Sequence, residues 1–168
     1  MKRPDFTFFA LIIVTAIFTL FIRISLPSRE YFNFGDIAVI FSGLIMGFSR
    51  TRNYFLYGAL AGGIGSALAD LIGGFGIFAP FTLIAKGLEA GFASIAAKRK
   101  GYSQYVFLLI GGICMIATYF FAEIFLPNFG YQLALTEIIP NIIQATGGII
   151  GGRLTYEAYK RIKDDGNE

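Results

Sequence analysis

Residues 54–72 read YFLYGALAGGIGSALADLI, and along that stretch only Asp70, near its far end, carries a charge. A segment apolar on every side has no face to offer water, so it belongs in a protein core or in a bilayer. As a helix rising about 1.5 Å per residue it reaches close to 30 Å, the thickness of a membrane's hydrocarbon layer. Small residues recur along it at every fourth position. Ala59, Gly63 and Ala67 form one ladder, and Ala61, Gly65 and Ala69 form another. Such ladders let helix backbones approach closely, so they predict a packing face, either within a bundle or toward a separate subunit.

Working outward, comparable runs occupy 6–24, 34–48, 78–97, 105–126 and 131 to about 158. Turn signals rich in Gly, Pro, Asn or charge separate them, at 26–30, 49–53, 73–76, 98–101 and 127–130. The run 34–48 is short, which leaves a tilted span, a re-entrant segment, or a helix whose missing length lies within 31–35. The run 6–24 exceeds a signal-peptide core and lacks a small-x-small cleavage site, so it reads as a retained helix. With 55% hydrophobic and only 15% charged residues, a 168-residue chain cannot clothe a soluble domain in polar side chains. The expected fold is an all-α integral membrane protein, a bundle of about six transmembrane helices. Residues 1–162 would form one domain and 163–168 a polar, solvated tail.

The distribution of Lys and Arg predicts orientation. Eleven fall on one side of the expected membrane: Lys2, Arg3, Arg50, Arg52, Lys98, Arg99, Lys100, Arg153, Lys160, Arg161 and Lys163. Arg23 and Arg29 are the two on the other side. This bias places both termini in the cytoplasm. The basic residues end apolar runs and do not gather in a stripe with aromatics, which argues against nucleic acid.

The chain has no histidine and a single cysteine, Cys114, within an apolar run. That excludes a disulfide framework and histidine-based metal or nucleophile sites, and leaves Cys114 as a packing residue. No Walker loop, Gly-x-Ser-x-Gly or His-Glu-x-x-His pattern occurs, so neither a cofactor, a metal nor an enzymatic activity is expected.

Ionisable groups at membrane depth are costly and are functional candidates by default. In the predicted topology Lys86 lies about 12 Å and Glu89 about 16 Å below the outer start of the fourth run. Glu137, Asn141 and Gln144, spaced by four and three, share one face of the sixth run. The expected substrate-binding set is Lys86, Glu89, Glu137, Asn141 and Gln144, with Asp70 and Tyr119. A plainer alternative makes Lys86 and Glu89 an internal ion pair. It also leaves Asp36, Asp70 and Glu123 near the interface, solvated or capping helix ends, and for these three acids that reading is preferred.

Several polar words in the apolar runs resemble one family. They are Phe34-Gly35-Asp36-Ile37 with Gly43 to Gly47, Tyr57 to Asp70, and Ala79-Pro80 through Lys86-Gly87-Leu88-Glu89. Tyr119 to Glu123 and Pro140-Asn141-Ile142-Ile143-Gln144 continue the pattern. Over 34–150 the chain is similar to the substrate-binding S components of energy-coupling factor transporters, in particular the riboflavin and hydroxymethylpyrimidine type branch. The resemblance implies a six-helix protein of a prokaryotic cytoplasmic membrane that binds a water-soluble vitamin near its outer face. It also implies a transmembrane coupling subunit and two cytoplasmic ATPases as partners, with ATP used by them and not by this chain. Family members often carry Ala-x-x-x-Ala on the first helix as a coupling contact. Here Ala10 is followed by Val14 and Ala16 by Leu20, so the ladders of the third run are the expected substitute. Residues 23–33 form a candidate lid. A rival reading of the same polar residues is an ion-coupled secondary transporter or a small intramembrane enzyme.

Overall fold

The computed structural model describes residues 5–25, 31–49, 52–127 and 129–165. In chain order the elements are α1 (Asp5–Phe21), β1 (Arg23–Ser25), β2 (Tyr31–Asn33), α2 (Gly35–Phe48), α3 (Tyr54–Gly73), α4 (Ala79–Ala96), α5 (Tyr102–Phe125) and α6 (Tyr131–Asp165). The strands amend the all-α expectation. They pair antiparallel, with Arg23 opposite Asn33, Ile24 opposite Phe32 and Ser25 opposite Tyr31. The first apolar run therefore leaves the helix at Phe21, and the ribbon supplies the backbone partners a helix would have provided. It is anchored where Phe34 N–H donates to Ile22 O at 2.9 Å, and β2 lies against α6. The candidate lid thus begins and ends in paired strands. Residues 26–30, with the break and Arg29 assigned to them, lie outside the described residues, as do Lys2, Arg3, Arg50 and Asn128.

Local chemistry sets the helix ends. Gly74, at φ 86°, adopts the left-handed conformation and closes α3 by donating its N–H to Asp70 O; a side chain there would be strained. Pro80 sits in the first turn of α4, where its missing N–H costs nothing. Helix α6 runs 35 residues, about 52 Å, through Pro140, and continues to Asp165. Lys163, Asp164 and Asp165, the first residues of the expected polar tail, are exposed and helical, and 166–168 lie outside the described residues.

By length and composition α3, α5 and α6 can each cross a membrane. Helices α1 and α2 are apolar but shorter, and Lys86 and Glu89 lower the hydropathy of α4. The 14-residue α2 owes its brevity to its position. It packs against α1, α3, α4 and α6, and Val39 and Ile40 are fully buried, so it has little need to meet lipid. Large apolar side chains instead cover the outside, among them Phe9 and Ile13 on α1, Ile113 and Phe121 on α5, and Ile139 and Leu154 on α6. Apolar exposure on this scale is what a lipid-facing surface requires.

Glycine sets the interhelical distances. A Cβ added at Gly43 would stand 2.2 Å from Ala90 O, and one at Gly47 would stand 2.2 Å from Ser94 O, so α2 and α4 touch backbone to backbone. The two ladders of α3 face different neighbours. Gly65 abuts Ile12 O and Thr15 of α1, whereas Gly63 abuts Leu83 O of α4.

Basic side chains collect at one end of the bundle and knit its helix ends together. Lys98 Nζ donates to Ser49 O at 3.1 Å and lies 5.0 Å from the centre of the Tyr54 ring. Gln104 joins the Arg99 carbonyl to the Arg153 guanidinium. Thr7 and Lys163 line one groove, so α1 begins and α6 ends at this same basic end.

Candidate functional site

The half of the bundle remote from the basic end holds the polar centre. Asp36 occupies the first turn of α2, where the helix dipole favours a carboxylate. Lys86 lies seven residues into α4, about 10 Å from its start. Side chains in a helix lean toward its N-terminus, so the Lys86 stem climbs toward the level of Asp36. The Lys86 ammonium forms an ion pair with Asp36 Oδ1 and lies 3.6 Å from Glu89 Oε2. Gln144 Nε2, from α6, donates to Asp36 Oδ2 at 3.1 Å. The Tyr119 ring of α5 lies 5.5 Å from the ammonium, and its hydroxyl donates to Thr82 Oγ1 at 3.0 Å. Asp70 is close enough to contribute to the field at both Lys86 and Tyr119.

Asp36, Asp70, Lys86 and Glu89 are each no more than 1% exposed. This corrects the solvated half of the preferred reading of Asp36, Asp70 and Glu123, because all three are buried, while Asp36 does stand in the first turn of a helix. Asp36 is the hub of the cluster, and its partner is Lys86. The ion pair within α4, the plainer alternative for Lys86 and Glu89, is the looser of the two contacts, since Glu89 stands farther from the ammonium. Thr82 also belongs to the site, and its place four residues before Lys86, one turn up the same face, is the sequence signal for it. Of the α6 set, Gln144 joins the cluster, Glu137 is buried at 4% exposure, and Asn141 is half-buried.

The demand left open in this site is for hydrogen-bond donors. Lys86 makes its direct ion pair with Asp36, and neither Glu89 oxygen accepts a hydrogen bond among the described residues, although the side chain is wholly buried. A buried carboxylate in that condition is costly unless a partner arrives. No group of three or more metal-ligating side chains occurs among the described residues.

Close packing holds the geometry. A Cβ at Gly148 of α6 would stand 2.5 Å from Asp36 Cβ, so only glycine lets α6 bring Gln144 to the carboxylate. Gly148→Ala is expected to destabilise the protein by about 1–3 kcal/mol through overpacking. Thermal unfolding in detergent measures this, and an unchanged midpoint would show that the α2–α6 contact is looser than described here.

Helices α3, α5 and α6 are apolar enough to cross a membrane and the bundle's buried charges gather in one polar centre, and a family comparison specifies the class of protein. Over residues 6–161 the chain matches the family described as ECF-type riboflavin transporter, S component, and it belongs to that family. It is thus a vitamin-type substrate-binding subunit of an energy-coupling factor transporter, in a family of transporter components and not of enzymes. It is also 38% identical over 150 residues to an uncharacterized protein in the gap 3' region of Pyrococcus woesei, covering 86% of this chain and 93% of that one.

Proposed function

We propose that the chain captures riboflavin, or a closely similar ring-and-hydroxyl vitamin, at the Asp36–Lys86–Glu89–Gln144 centre. It does so from the outer side of a prokaryotic cytoplasmic membrane, with six spanning helices and both termini inside. The observation that carries this reading is the buried Glu89 carboxylate, which accepts no hydrogen bond among the described residues. Ribityl hydroxyls and an imide N–H are donors of the kind it lacks, and Lys86 and Gln144 suit the ring's carbonyl oxygens. Glu137, Asn141, Asp70 and Tyr119 complete the proposed binding set. Lys98, Arg99, Arg153, Lys160 and Lys163 gather at the end opposite this centre, which supports cytoplasmic termini.

Uptake is proposed to require a transmembrane coupling subunit and two cytoplasmic ATPases. This chain contains no Walker loop to use ATP itself. Both ladders of α3 face neighbours within the chain at Gly63 and Gly65. Docking to the coupling subunit is therefore assigned to the less buried members Ala59 and Ala67, with Ala61 and Ala69 serving internal packing.

Flavin fluorescence tests the binding step. Saturable quenching by the purified protein is expected, weakened at least tenfold in Lys86→Ala, about 1.4 kcal/mol. No quenching, or equal quenching by the variant, overturns the reading. Reconstituted uptake driven by an ion gradient without ATPases would instead favour the secondary-transporter alternative.

A further inference from the structure

The basic end holds a second feature that vitamin capture does not use. Helices α1 and α6 both pack on α2, and between them, over the end of α2, lies an open groove of about 250 Å³. One wall is cationic: Lys160 and Lys163 of α6 line it one turn apart, and Lys98 stands at its edge, donating to the Ser49 carbonyl. The hydroxyl-bearing residues Thr7, Ser49, Tyr156 and Tyr159 line it as well. The other wall is aliphatic and aromatic, ending in Phe48, which is 59% exposed. Among the described residues Asp164 is the acidic one lining it, and Lys160 has a second acidic neighbour in Glu157, 3.9 Å away.

We infer that this groove holds the phosphate of an anionic phospholipid from the leaflet at the basic end. Its acyl chains would pass over Phe48 onto the apolar outer surface. The groove combines what such a molecule presents, a charged head beside a greasy stem, at the depth where apolar helices give way to charge. A soluble anion would use the lysines but leave the exposed Phe48 wall without purpose. Asp164 sets a preference, because its carboxylate accepts from headgroup hydroxyls of the phosphatidylglycerol kind and adds repulsion against a more highly charged headgroup. The lipid would brace α1 and α6, both of which pack on α2. The inference does not rest on what the polar centre carries.

The test uses the purified full chain in detergent with phosphatidylglycerol, phosphatidylcholine or inorganic phosphate added separately, read by native mass spectrometry and thermal unfolding. Phosphatidylglycerol is expected to give a one-to-one adduct and raise the midpoint, with phosphatidylcholine much weaker. The Lys160→Gln/Lys163→Gln variant should bind phosphatidylglycerol about twentyfold more weakly, while keeping the lipid-free midpoint and flavin quenching of the unmodified protein. Equal response to both lipids, a full response to inorganic phosphate alone, or undiminished binding by the variant overturns the proposal. So does a variant that binds lipid normally but fails to assemble with partner subunits, which would make the groove a protein interface.

Discussion

Asp36→Asn is expected to lower stability by about 3–5 kcal/mol, the usual consequence of leaving a buried charge without its partner. The ammonium of Lys86 would keep Glu89 at 3.6 Å but lose its direct ion pair, and it is too deeply buried to recruit water. The reciprocal Lys86→Met is expected to be comparably damaging, since Asp36 and Glu89 would then face each other with no cation between them. Changing both, Asp36→Asn with Lys86→Met, should recover the part of the loss that comes from the Asp36–Lys86 pair, because a paired set of buried charges is worth little more than an apolar replacement, while Glu89 still lacks its cation. A double-mutant cycle on thermal unfolding in detergent measures the coupling, and a value above about 1 kcal/mol is the expected result. Additive single effects would mean that the two side chains do not share a site. All three variants are expected to lose flavin binding, so the cycle separates what the ion pair does for folding from what it does for ligand.

The second large effect is expected at the α2–α4 seam. Gly43→Ala or Gly47→Ala places a methyl 2.2 Å from a backbone carbonyl, and carbonyls on a helix cannot turn aside as a flexible side chain does. The two helices must separate, at a cost of about 1–3 kcal/mol for each alanine and more for a larger residue. Gly43→Leu is accordingly expected to abolish the folded monodisperse species in size-exclusion chromatography. Gly147→Ala is the control, because nothing lies within 4 Å of its added Cβ. Alanine is the better helix former, so this change is expected to be neutral or stabilising by up to about 1 kcal/mol. If Gly43→Ala behaves like Gly147→Ala, the seam is not the tight contact described here.

Particular residues show how far the sequence could be read. The ladders at Ala59–Gly63–Ala67 and Ala61–Gly65–Ala69 were visible because four-residue spacing is a local pattern. The same spacing at Gly43 and Gly47 went unread, although it sets the closest helix contact described here. Asp36 is hard to place from sequence for a different reason. It begins a helix, and in sequence a helix-starting acid looks like a dipole-favoured residue near solvent. Its burial depends on α1, α3, α4 and α6 surrounding α2, which the short run 34–48 does not announce. The ribbon was missed because three-residue strands are too brief to show a period of two.

Hydropathy, loop charge and polar words determined from sequence alone the lipid solvent, the helical elements, the family, and the short roster of residues worth suspecting. These are sums over neighbouring positions, so the chain displays them before it folds. Only the tertiary structure decided that Lys86 meets Asp36 more closely than Glu89, that Gln144 rather than Asn141 reaches that carboxylate, and which helix each glycine faces. Those choices join residues 50 and 108 positions apart. They depend on the rotation and depth of one helix against another, which no local pattern encodes.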